Sequence, residues 1–275
     1  MSSKHPVPST PQHATLDSLL TPETVALVGV SPRPDSYGYA LYKMCTGCGF
    51  SETVYLVNPG HKQIDNQPVY PSLSALPESP ELVVISVGND RVYEVAQEAL
   101  DCGAKALVVF AEMPDAVQRQ QLTALVREAG AVMCGPNSMG LHNLCNGLRL
   151  TPFPAPTDLI AGGIGLIVQS GSIMGALVHN DRRLRFSHVV STGSETITTA
   201  ADYLYWMASR PETRCVGLFL ETVRDPARFI AAMELAAQRN IPVVIMKVGR
   251  SAKGAAMAIT HTGALVGNDA VFRAL

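Results

Sequence analysis

The run GRSAKGAAMAITHTGALVG, residues 249–267, surrounds one histidine, His261, with glycine, alanine, serine and threonine. It follows the strand-like VVIMKV and leads into residues at helical spacing. Small residues let such a loop swing, and a neutral imidazole near its ordinary pKa can attack phosphorus. A surface or helix-capping histidine is the other reading, and residue type and spacing leave both open. Two further stretches suit an anion. VALVGVSPRPDSYGYAL places Gly29, Ser31, Arg33 and Gly38 between a strand and a helix. Backbone N–H groups and the helix dipole converge at such a position, and Arg33 adds a fork of charged donors. Its prolines set it apart from the G-x-G-x-x-G dinucleotide loop. Val57-Asn58-Pro59, with Lys62 just beyond, offers a second wall, although these glycines and prolines also serve plain tight turns. GLIVQSGSIMGAL repeats the device as a strand, then Gln169-Ser170-Gly171-Ser172, then a helix. That is a phosphate cradle or an N-cap serine; Q-S-G-S does not have the order of the G-x-S-x-G nucleophile elbow.

The elements that must hold these loops alternate along the chain. VALVGV (25–30), VYLV (54–57), LVVISV (82–87) and ALVVF (106–110) are short, β-branched and bounded by turn residues. Segments 38–48, 90–102 and 115–129 between them carry apolar residues at helical spacing, for example Val92, Val95, Ala96 and Ala99. This βαβ rhythm predicts a doubly wound parallel sheet closing near Val132–Cys134. TPFPAPTD (151–158) has three prolines in eight residues and reads as a linker. The rhythm restarts at GIGLIV (163–168), with further strands at HVVS, CVGLFLE and PVVIMKV and helices at 196–209 and 226–239. The expected organisation is a leader over 1–17, a first α/β domain over 18–150, a linker over 151–160 and a second over 161–275. Asn268 reads as an N-cap and the helix after it stops at Leu275, as expected for part of a longer protein.

Composition narrows the classes. A length of 275 residues suits two domains, and 47% hydrophobic with 16% charged residues suits strands buried on both faces. A formal charge of −2 argues against nucleic acid as a bulk electrostatic partner. No run of about eighteen apolar residues appears, so no membrane span is expected. The first twenty residues lack the apolar core of a signal peptide. Six scattered cysteines fit a reducing cytoplasm. Cys45 and Cys48 make a C-x-x-C without a second pair and read as packing residues, so no metal site is expected.

V-G-x-S-x-R at 28–33, VNP at 57–59, the turn after ISV and GPNSMG at 135–140 together resemble the CoA-binding domain shared by succinyl-CoA ligase and the ADP-forming acyl-CoA synthetases. The resemblance continues through the second domain, where T-H-T-G-A-L is similar to the phosphohistidine loop. It implies a Rossmann-like CoA-binding domain followed by a flavodoxin-like ligase domain. Gly29, Ser31, Arg33, Asn58, Pro59 and Val87 would line the CoA site, and Ser170, Gly171 and Ser172 would hold phosphate. His261 would carry the phosphoryl group, with Glu221 at the end of CVGLFLE orienting the ring; by residue type alone Glu221 is an ordinary helix-start charge. Ser194 in STGSE departs from the usual G-N of that turn. The implied partners are a small carboxylic acid or acyl-CoA and an ATP-grasp domain or beta subunit that binds ATP or ADP with Mg2+, in an oligomer. A non-catalytic CoA- or acyl-CoA-sensing module, like that fused to protein lysine acetyltransferases, is the alternative; such modules commonly lack the reactive histidine. An NAD-dependent dehydrogenase would place an acidic residue where Asn58-Pro59 stands.

Overall fold

The computed structural model describes residues 12–180 and 183–248, and in it the β-branched runs form two sheets with helices on their faces. After helix α1 (Gln12–Leu20), the first domain builds strands β1 (Thr24–Val28), β2 (Thr53–Val57), β3 (Gln63–Ile64), β4 (Gln67–Tyr70), β5 (Leu82–Ile85), β6 (Ala106–Val109) and β7 (Val132–Cys134). Helices α2 (Tyr37–Thr46), α3 (Val92–Asp101) and α4 (Ala116–Glu128) connect them. The sheet order is β3-β4-β2-β1-β5-β6-β7, parallel except for the pair β3 and β4. β1 thus has β2 on one side and β5 on the other, which makes its carboxyl end a topological switch point.

The strands are buried on both faces, and the period-2 alternation of side chains divides their residues between two cores. Ala26, Val28, Val83 and Ile85 pack with α3 and α4 residues such as Val95 and Leu122. Val25, Leu27, Leu82 and Val84 face the other way, into a core that continues through the second domain.

The second sheet contains β8 (Gly140–Asn143), β9 (Leu148–Leu150), β10 (Ile164–Val168), β11 (Phe186–Ser191), β12 (Cys215–Leu220) and β13 (Val243–Lys247) in the order β13-β12-β10-β11-β8-β9. Helices α5 (Gly171–Val178), α6 (Ala200–Ala208) and α7 (Pro226–Gln238) complete it. β10 to β13 are parallel, as the βαβ spacing requires, whereas β8 runs antiparallel to β11. β8 and β9 lie before the Pro-rich stretch in sequence yet hydrogen-bond into this sheet. No helix among the described residues is long and apolar enough to cross a membrane.

The two domains share one hydrophobic core, and α1 and α6 fill it. Helix α1 starts within the stretch read as a leader, and its Leu16, Leu19 and Leu20 are fully buried. Helix α6 contributes Tyr203, Leu204, Trp206 and Met207, all buried, and opens on a capping box between Thr199 and Asp202. Trp206, the single tryptophan, donates its indole N–H to Asp17 of α1 at 2.8 Å. The Arg210 guanidinium stacks 4.1 Å above the same indole and pairs with Asp17. Asn143 ties β8 to the end of α1 through the Leu20 carbonyl. Truncation of Trp206 to alanine should therefore destabilise both domains together, by about 3–5 kcal/mol. Denaturant melts followed by circular dichroism test this; a loss below about 1 kcal/mol would remove the shared core as the source of cohesion.

Candidate functional site

Two clefts open at the carboxyl ends of the parallel strands of the two sheets, and they meet at Asn137. The first has a volume of about 560 Å³ and is lined by Gly29, Ser31, Arg33, Val87, Phe110, Asn137 and their neighbours. It extends as a shallower recess of about 400 Å³ past Asn58, His61 and Arg91. The second is a narrow pocket walled by Asn137, Gln169, Gly193, Ser194, Glu195, Glu221, Thr222 and Arg224.

Backbone geometry makes the first cleft. Gly29 has φ +91°, and a Cβ there would lie 2.2 Å from the Ser86 carbonyl oxygen. At Gly38 a Cβ would sit 2.3 Å from the Gly29 carbonyl, so α2 starts against the strand end only because both residues lack side chains. Ser36 caps α2 by accepting from the Tyr39 N–H, and its own hydroxyl donates to Arg33. The Arg33 N–H in turn donates to the Ser31 hydroxyl at 3.3 Å, closing a compact loop that leaves the Arg33 side chain exposed. Two exposed guanidinium groups, Arg33 and Arg91, together with the α2 N-terminus give this cleft an anion-binding character.

Of the residues expected here, Gly29, Ser31, Arg33 and Val87 line the cleft together. Asn58 reaches it, but its amide is occupied within the protein: it donates to Val30 and accepts from the Gly60 N–H. Its visible task is to pin the loop after β2 to the loop after β1. Pro59 is exposed beyond it. Several lining residues escaped the sequence reading. Phe153 belongs to the Pro-rich stretch and meets Tyr37 of α2 with ring centroids 5.5 Å apart, so that stretch walls the cleft. Arg91 and Phe110 follow β5 and β6, and only their position after strand ends pointed to them.

Gln169 organises the second pocket. Its amide oxygen accepts from the Glu221 and Thr222 N–H groups at 2.6 and 2.9 Å. Its amide nitrogen donates to Glu195 and to the Thr222 carbonyl, both at 2.9 Å. One side chain thus joins the ends of β10 and β12 to the turn after β11. Glu221 is 8% exposed and stands beside Glu195, which is 6% exposed. Glu195 adopts φ +53°, and one of its carboxyl oxygens accepts from Gln169 and the Ala200 N–H. Burial pushes its carboxyl up to about 7, against the lowering effect of the Gln169 hydrogen bond and the Arg224 charge. The turn that presents it is tied to the first domain: Ser194 N–H donates to Pro136, and the Gly135 N–H donates to Thr192.

Ser170, Gly171 and Ser172 lie at the start of α5, next to this pocket rather than in its walls. Ser170 occupies the N-cap position without a side-chain capping bond. Gly171 packs directly on Met139, a residue that lines the first cleft. His261 and the whole run 249–267 lie outside the described residues. Glu195 and Arg224 are the pocket residues that sequence reading missed; Gln169 stood in the expected cradle, but its role as the link between three loops was not read.

Glu195 generates a pH-dependent prediction. Its folded-state value near 7 lies above the ordinary carboxyl value, so the folded chain holds a proton that the unfolded chain has released. Its contribution to stability is present below about pH 4.5 and is lost as pH rises through 7, by up to about 3 kcal/mol. Glu195→Gln removes this titration. Its melting temperature relative to the parent should rise by several degrees between pH 5 and pH 8; a difference that stays flat with pH would show that Glu195 titrates normally.

Comparison with known proteins agrees with this fold of two α/β units. Residues 23–143 match the CoA binding domain model, and residues 161–275 match the succinyl-CoA ligase like flavodoxin domain model. The chain is 31% identical over 272 residues to the acetate–CoA ligase [ADP-forming] I subunit alpha of Pyrococcus furiosus, covering 94% of this chain and 58% of that one. It is 30% identical over 269 residues to trans-feruloyl-CoA synthase FCS1 of an unknown prokaryotic organism, covering 94% and 38%. Among solved structures, dinucleotide forming acetyl-coenzyme A synthetase 1 of Ca. Korarchaeum cryptofilum, in complex with phosphate and ADP, superposes with a TM-score of 0.86 at 27% identity. That match covers 94% of this chain and 57% of the other. The chain therefore spans 38% to 58% of the length of these two curated relatives.

Proposed function

The chain belongs to the family that joins a CoA binding domain to a succinyl-CoA ligase like flavodoxin domain, and from that premise we propose that it is the CoA-handling and phosphoryl-carrying part of an ADP-forming acyl-CoA synthetase. The observation that carries this reading is Asn137, which lines both clefts. A thioester held at the end of the first cleft would meet a phosphate held at the second. In the first cleft, Arg33 and Arg91 supply charge for the phosphates of CoA, while Val87, Phe110 and Phe153 supply apolar surface for its pantetheine arm. Gly29 and Gly38 let α2 start against the end of β1, which sets the helix N-terminus at this cleft, where phosphate would meet backbone N–H groups.

In the proposed chemistry a phosphate oxygen attacks the thioester carbonyl. The carbon–sulfur bond breaks, CoA leaves as its thiol after gaining a proton, and acyl phosphate remains. An imidazole nitrogen of His261 then attacks phosphorus and the carboxylate departs. Glu221, held at the pocket wall by the Gln169 network, orients the ring by accepting from its other nitrogen. Arg224 offers positive charge to the phosphoryl oxygens. The phosphoryl group finally passes to ADP in an ATP-grasp part with Mg2+, and the relative named as a subunit alpha supports a separate chain in that role. The relatives' names span acetate and feruloyl, so a carboxylic acid is the substrate class.

The test is phosphoryl labelling from ATP in the presence of an ATP-grasp partner. The parent chain should acquire an acid-labile, base-stable label. His261→Ala should carry none, and Glu221→Gln should be labelled about 10–100-fold more slowly. Equal labelling of the His261→Ala chain would overturn the mechanism. CoA should raise the melting temperature of the chain while NAD leaves it unchanged, and Arg33→Ala should weaken CoA binding about tenfold.

A further inference from the structure

A second cluster of reactive side chains lies near the amino end of β11, at the other end of that strand from the Gln169 pocket. His188 is the third residue of β11, near its amino end, whereas the pocket begins beyond the carboxyl end of that strand. β8 runs antiparallel to β11, so Cys145, just after β8, arrives at the same end. Glu212 stands in the loop between α6 and β12 and reaches it from the third side. One ligand atom from each of Cys145, His188 and Glu212 lies within 4.8 Å of the other two.

We propose that Cys145, His188 and Glu212 form a binding site for a divalent transition metal ion of the zinc type. The geometry needs little adjustment. Tetrahedral zinc with thiolate, imidazole and carboxylate ligands places those atoms about 3.3–3.8 Å apart. His188 Nε2 already lies 3.6 Å from a Glu212 carboxylate oxygen. Cys145 is exposed and Glu212 partly so, and both can rotate toward the ion, while the imidazole is fixed by complete burial and edge-on contact with Trp206.

The histidine is the observation that separates this cluster from a chance meeting of polar groups. Its ring is 0% exposed, yet neither nitrogen has a hydrogen-bond partner. A distance of 3.6 Å to Glu212 is too long for a hydrogen bond. A buried imidazole whose nitrogens lack hydrogen-bond partners, set close to a carboxylate and a thiol, has a nitrogen available as a metal ligand. Sulfur, nitrogen and oxygen donors together favour zinc, cobalt or nickel over magnesium or calcium, which take oxygen ligands. Three protein ligands leave a fourth position toward solvent, filled by water. The ion would cross-link three points of the chain at the edge of the shared core, a clip rather than part of the phosphate chemistry. No sequence motif announces it, because Cys145 and His188 are 43 residues apart and His188 and Glu212 are 24 apart.

The experiment uses the full chain, stripped with a chelator and kept reduced, then titrated with Zn2+ and with Co2+. One equivalent of zinc should survive dialysis, raise the melting temperature and protect Cys145 from iodoacetamide, as read by peptide mass spectrometry. Cobalt should produce a thiolate-to-metal charge-transfer band in the near-ultraviolet. Cys145→Ser should abolish the band, and Glu212→Gln should weaken binding at least tenfold; both substitutions lie at the surface, and circular dichroism confirms that each variant folds. Failure of the parent chain to retain zinc, or retention unchanged in Cys145→Ser and Glu212→Gln, would overturn the site.

Discussion

The Gln169 amide holds the second pocket together. A glutamine amide offers two acceptor and two donor positions, and here all four are used, on Glu221, Thr222 and Glu195. The orientation of the amide is therefore dictated: its oxygen must face the two backbone N–H groups beyond β12. Because the network is complete, it acts as a rigid strut between three loops that end three different strands. It links Glu195 and Glu221 at one pocket, where both are nearly buried.

That strut works only because the two sheets are fixed to each other. The Leu16, Leu19, Leu20 and Trp206 side chains belong to a single core running from one sheet to the other. Hydrogen bonds cross the junction near the sites as well: Ser138 donates to the Ser191 carbonyl, and the Met133 N–H donates to Thr198. The loop 135–139 consequently serves both clefts, with Asn137 at their meeting point. A mobile hinge at this position would separate the two clefts; the continuous apolar core opposes it, since opening would expose large buried side chains to water.

The same fold rule operates twice. In each sheet a central strand, β1 or β10, has neighbours on both sides whose connections leave in opposite directions, and the loops at its carboxyl end diverge to open a crevice. Glycines allow close backbone approach in the first crevice, whereas buried polar side chains furnish the second. The two crevices thus differ in character: one presents exposed guanidinium groups and N–H donors, the other two carboxyl groups with Arg224 at the rim.

Much of this was legible in the residues themselves. The β-branched runs and helical spacings located β1, β5, β6, β10 and β12 closely, because strands buried on both faces need continuous apolar residues. The strand-to-helix loops at Gly29–Gly38 and Gln169–Ser172 stood out for the same reason, as polar and glycine-rich breaks at strand ends. Family likeness singled out Glu221 and His261, which residue type alone left ambiguous. Tertiary structure decided what depends on contacts between distant segments. Local pattern assigned 1–17 to a leader, yet α1 begins at Gln12 and its leucines complete a core built by α6, nearly two hundred residues later. Only the fold brought Phe153 of the Pro-rich stretch over the first cleft. Likewise Glu195 became a buried carboxyl near pH 7 because its turn is pressed between two domains, and burial of that kind has no signature in local sequence.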